Sequence, residues 1–192
     1  MKQIKTLRVR FTLWTTALIL ALLAAFSAFV YFNLSTSLNA AVDASLAVSA
    51  AQAAAGLNIQ NGQVVITEAL RADDGGLHAL SERGLIVIVL AQDGRVLQAV
   101  GPYRDVTIPI NGTLSSNPQG AYVTLTDRVE ENDPLRAYIL PVLDNGQVAG
   151  WVQVLQSLGP VQDALNQLLT ALLLGGGVLL FFAAAPLRHA AP

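Results

Sequence analysis

Phe11–Phe32 reads FTLWTTALILALLAAFSAFVYF, twenty-two residues without a charge. With a rise of roughly 1.5 Å per residue, a helix of that length crosses the hydrocarbon of a bilayer, about 30 Å thick. Lys2, Lys5, Arg8 and Arg10 precede it with no acid among them, and such a basic flank marks the cytoplasmic side of a span. Trp14 and Tyr31 suit the two interfacial zones. A cleavable signal peptide is the competing reading. It would have a shorter apolar core leading to a small-x-small site, whereas this run ends in Phe29, Tyr31 and Phe32. An uncleaved anchor is therefore expected.

Composition agrees. Only 12% of the 192 residues are charged and mean hydropathy is +0.51, against about 25% charged in average soluble domains. No charge lies between Asp163 and Arg188, so Leu165–Ala185 is expected as a second span. The domain plan is then a basic tail (1–10), a first span (11–32), an outer domain (33–164), a second span (165–185) and a short tail (186–192). All thirteen acidic residues fall between Asp43 and Asp163, where there are six arginines and no lysine. This asymmetry places both termini in the cytoplasm and the middle outside. It also argues against a nucleic-acid partner, which needs a basic footprint. Cysteine is absent, which excludes disulfide and thiolate chemistry.

Working outward from the first span, Leu34, Leu38, Val42 and Leu46 continue a helical stripe through an alanine-rich run to Ala55. Gly56 is expected to end it in the left-handed position. The stripe must be buried against its own domain or against a twin. Ala17, Ala21, Ala24, Ala25 and Ala28 offer a small-residue surface for close helix approach below it. A homodimer through these helices is expected, with the bilayer as the other partner.

Beyond Leu57 the period becomes that of strands. Asn61-Gly62 marks a turn before a short strand at Gln63–Thr67, and Arg71–Arg83 reads as a loop or short helix. Leu85–Leu90 is a run of branched apolar residues covered on both faces, hence a central strand. It returns through Asp93-Gly94 to Arg95–Val100. After a connection rich in proline and glycine come a strand at Ala121–Thr126 and a hairpin, Leu135–Leu143 with Gln147–Leu155, turned at Asn145-Gly146. Pro141 should sit at an edge or bulge. Gly159-Pro160 opens the last helix and Pro186 should end it. The fold class is thus an α+β membrane protein: a long N-terminal helix, an antiparallel sheet of five or six strands, then a second helix.

No catalytic constellation is present. His78 and His189 lack metal-ligand spacing, and no nucleophile elbow, phosphate loop or dinucleotide fingerprint occurs. Neither an enzymatic activity nor a cofactor is expected. Asp127, Glu130, Glu131 and Asp133 gather oxygen ligands of the type hard cations take, although a solvated polar loop explains them as well. Tyr103, Arg104, Arg136 and Tyr138 are the candidate ligand-binding residues, since arginine forks match the carboxylates of small anions.

Four stretches carry a resemblance. They are RVRFTLWTTALILALLAAFSAFVYFNLSTSLNAAVDASL, DGRVLQAVG, LPVLDNGQVAGWVQVLQSLGPVQDALNQLL and the second apolar run. In this order they resemble the N-terminal input half of a bacterial two-component sensor histidine kinase. The resemblance implies an inner-membrane protein with an extracytoplasmic PAS-like or Cache-like sensor domain, responding to an unidentified small molecule or ion. In such kinases the membrane helices of a dimer relay a small shift to a HAMP linker, a phosphoacceptor helix and an ATP-binding domain. After Ala185 the chain reads PLRHAAP, so those output parts are expected to be missing, and no catalytic residue carries over. A stand-alone anchored binding or scaffold protein, or the input half of a chemoreceptor, fits the same pattern.

Overall fold

The computed structural model of the chain describes residues 2–66, 76–102, 106, 108, 109, 117, 119–126 and 133–189. The order of elements is α1 (Lys2–Ala55), β1 (Asn58–Gln60), β2 (Gln63–Val65), α2 (Gly76–Ser81), β3 (Ile86–Ala91), β4 (Val96–Val100), β5 (Ala121–Leu125), β6 (Leu135–Asp144), β7 (Gln147–Ser157) and α3 (Gly159–His189). The chain divides into two compact units, one of Met1–Leu38 with Val161–Pro192 and the other Asn39–Pro160.

The first unit is helical. Among the described residues one helix, Trp14–Ala55, is long and apolar enough to cross a membrane, with mean hydropathy 2.2. Its large side chains Trp14, Leu18, Leu22, Phe26 and Phe29 are exposed. Ala24, Ser27 and Ala28 of α1 line an apolar groove with Leu169, Leu172 and Gly176 of α3. Small residues there let the two backbones approach. The expected second span lies wholly within α3, which continues through Gly175–Gly177 and past Pro186 to His189. Pro186 therefore does not end the helix. The fixed φ of proline is itself helical, so α3 runs through it, at the cost of one backbone hydrogen bond and a crowded turn before it.

In the second unit, five antiparallel strands order as β4-β3-β7-β6-β5, with β1 and β2 forming a separate hairpin. β3 is interior and fully covered, as its branched run implies, but β7 holds the centre. The β6–β7 turn has Asn145 at φ 50° and Gly146 at φ 82°, the doubly left-handed form that matches strand twist. β5 pairs with β6 only as far as Ile139. Among the described residues, strand β6 thus has β7 alone beside it at Pro141, and the register shifts just beyond, between Val142 and Leu143. The missing N–H of proline costs nothing there.

Alternation gives the sheet two apolar faces. Ile86, Ile88, Leu90, Leu135, Ala137, Ile139, Trp151 and Leu155 cluster on one, with Ile108 from the β4–β5 connection packed on them. Val87, Val89, Val152 and Val154 occupy the other and are fully buried. The outer part of α1 lies over that second face. Val42, Leu46, Ser49, Ala50 and Ala53, on one side of the helix, are buried there. The upper half of the expected dimer stripe, Val42 and Leu46, is therefore spent on the chain's own domain. A sheet face of valines left open to water would cost more than a dimer seam, because burial scales with apolar area. Gly56 ends α1 through bonds from its N–H to Gln52 and Ala53 carbonyls, and from Leu57 to Ala54. It does so without the left-handed φ expected of it. The tightened last turn already satisfies those carbonyls.

Candidate functional site

Each face of the sheet carries a polar tether, and the two differ in kind. On the α1 side, cross-strand pairing sets Thr124 opposite Arg136 and Tyr122 opposite Tyr138, so all four project from one patch of β5 and β6. Asp43, the single acid on α1, reaches this patch. Arg136 Nε donates to Asp43 Oδ1 at 2.7 Å and Nη2 to Oδ2 at 2.9 Å. This bidentate fork is the strongest form of the pair. Nη1 donates to Thr124 Oγ1 at 2.7 Å, and the guanidinium carbon lies 5.2 Å from the Tyr122 ring centroid. Tyr122 also donates its hydroxyl to the Asp43 backbone carbonyl, 3.1 Å away. Asp43 is thus held by side chain and backbone together.

The hydrogen bond to Asp43 raises the Arg136 pKa above its ordinary range, with burial acting the other way. The two side chains retain 26% and 29% of their exposure, so water still solvates the charges. A pair in this setting contributes about 1 kcal/mol. Tyr138 packs against Tyr122 with centroids 4.5 Å apart and donates to the Gln119 carbonyl. Burial, and then Tyr122, raise its pKa above the usual phenol value. A Cβ on Gly120 would stand 2.6 Å from the Tyr138 hydroxyl, and φ there is 83°. Glycine is what lets the ring close over the chain.

On the opposite face Gln153 has no exposed surface. Its Oε1 accepts from Ile108 N at 3.1 Å and its Nε2 donates to Ile108 O at 2.6 Å. One amide thereby satisfies both backbone groups of Ile108, whose side chain packs on the core. Nearby, the Trp151 indole N–H is buried without a partner among the described residues.

Of the four expected ligand-binding residues, Arg136 and Tyr138 share one face of β6, while Tyr103 and Arg104 lie outside the described residues. The Arg136 fork is taken up by Asp43. Asp127, Glu130 and Glu131 also lie outside, and Asp133 accepts from Ser157 Oγ at 3.3 Å. No group of three or more potential metal ligands occurs among the described residues. His78 lies on α2 and, among the described residues, is in no such group. Asp43 and Gln153 escaped the sequence reading as site residues. Their signal was a polar residue in an apolar phase: the one acid in a helix of 54 residues, and an amide at an inward position of β7.

No curated protein and no solved structure matches the chain significantly. The family model described as "Two-component sensor kinase N-terminal" matches residues 19–168. That range takes in the outer part of the apolar α1 run, the whole sheet unit with both tethers, and the first turns of α3. The chain accordingly belongs to the two-component sensor kinase N-terminal family.

Proposed function

We propose that these residues form the membrane-anchored, extracytoplasmic input module of a two-component sensor kinase, with α1 and α3 both crossing the inner membrane and both termini cytoplasmic. One observation carries the reading. α1 runs without interruption from exposed apolar residues such as Leu18 and Leu22 to Leu46, which is fully buried in the sheet unit. A single rod thus has lipid-compatible and domain-compatible halves. The uncharged run after Asp163 and the basic tail supply the second crossing and the orientation. A five-stranded antiparallel sheet behind a long N-terminal helix suits a PAS-like or Cache-like sensor for a small molecule or ion. Its role is sensing, with no phosphoryl transfer by these residues. Two copies pair through the apolar part of α1, below the buried stripe.

Because the chain has no cysteine, single cysteines report topology cleanly. A cysteine at exposed Gln92 should react with an impermeant thiol reagent in spheroplasts. One at Gln3 should react only after permeabilisation. Equal reaction at both positions would refute the reading. A cysteine at Leu38 should cross-link two copies in membranes, and purified protein should take up no phosphate from labelled ATP.

A further inference from the structure

Strand β6 starts at a corner that holds both long helices. Arg136 grips α1 through the fork to Asp43, at 2.7 and 2.9 Å. Three residues earlier, the Asp133 carboxylate accepts from Ser157 Oγ, and the same oxygen of Ser157 accepts from the Gly159 N–H at 3.0 Å. Gly159 is the first residue of α3. The Leu158 N–H is bonded to the Pro134 carbonyl at 2.8 Å. Asp133 also lies where a Cβ of Gly159 would go, so carboxylate and helix start are in direct contact. Within four residues, 133 to 136, one strand end is bonded to the outer part of one helix and to the root of the other.

We propose that this corner is a coupler: the position of residues 133–136 sets the axial register of α1 against α3. Three features of the molecule make it the controlling contact. First, the rest of the buried side of α1 is chiefly apolar, from Val42 and Leu46 to Ala50 and Ala53. Apolar packing is non-directional, whereas a bidentate fork holds one distance and one direction. Second, both helices are stiff beyond their joints. No glycine or proline occurs between Phe11 and Ala55, nor between Val161 and Leu174, and kinks arise at such residues. A shift at Asp43 or Gly159 therefore meets no glycine or proline along α1 as far as Phe11, nor along α3 from Val161 as far as Leu174. Third, the Asp43–Arg136 joint is polar and partly exposed, so it can rearrange without opening the apolar core. This coupler rests on the reading that the two helices carry the output, and it adds which residues hold them.

The test uses the full chain in membranes with cysteine pairs across the groove, Ala28 with Leu169 and Ala24 with Leu169, scored as a ratio of disulfide yields. Asp43→Asn and Asp133→Asn should each change that ratio at least threefold. The charge swap Asp43→Arg with Arg136→Asp should return it to within twofold of the parent. Asp144→Asn, on the distant hairpin, should leave it unaltered. Outer-unit melting is recorded for every variant. One that loses its cooperative melt is replaced by Arg136→Lys, which keeps the charge and removes the fork. Unaltered ratios in folded variants would overturn the coupler. Joining the chain to a kinase output separates the two ideas. A shifted ratio without altered kinase output would leave the coupler standing and refute the sensing role.

Discussion

Both faces of the sheet bury apolar side chains, yet one is tethered by charge and the other by a neutral amide. The fork between Asp43 and Arg136 sits where about a quarter of each side chain still meets solvent. Gln153 does the corresponding task where no solvent reaches. An ion pair at the Gln153 position would lose its hydration to hold a single backbone segment, a cost that attraction rarely repays. An amide offers a donor and an acceptor together, which is what the Ile108 N–H and carbonyl require. Burial thus selects the chemistry of a tether, and each face receives the kind it can accommodate.

The severest way to break this contrast is to charge the dry face. Gln153→Glu should destabilise the sheet unit by several kcal/mol at neutral pH, since a buried carboxylate would face the Ile108 carbonyl. The folded-state pKa of that carboxyl is raised, so stability should return as pH falls and be lost again as pH rises through it. Urea melts across pH measure both. A loss that does not depend on pH would break the comparison. Gln153→Leu removes the amide without a charge and should cost about 1–3 kcal/mol for each backbone group left unpaired.

On the wet face, Asp43→Asn should cost about 1 kcal/mol. Much of that cost should vanish at roughly 1 M salt, where the screening length falls to about 3 Å. The Gln153→Leu penalty should be the same at low and high salt, which makes the salt series a direct comparison of the two tethers. The smallest effect concerns Tyr138. Its raised pKa means the folded state retains the phenol proton longer than the unfolded chain does. Stability is complete below the ordinary value of 10.0 and declines as pH rises beyond it. Tyr138→Phe should remove that alkaline decline from the melting curve while losing the bond to Gln119.

Much of the architecture was legible in local pattern. The uncharged run Phe11–Phe32, the branched strand at Leu85–Leu90 and the Asn145-Gly146 hairpin each specify backbone through short-range periodicity or turn chemistry. Two local rules failed for physical reasons. Gly56 is not left-handed because bonds from Gly56 and Leu57 close the helix end in a tight turn. Pro186 remains inside α3 because its fixed φ is itself helical, although its ring crowds the turn before it.

What the sequence by itself determined is the element order, the charge asymmetry and the continuity of α1, all consequences of composition and period along a single stretch. Only the tertiary structure decided which partner the stripe at Val42 and Leu46 would take, and that Asp43 would meet Arg136, 93 positions away. The same holds for Gln153 and Ile108, 45 positions apart. Such pairings depend on strand order and on which face α1 covers. Those follow from the collective burial of several elements, to which no single segment holds the key.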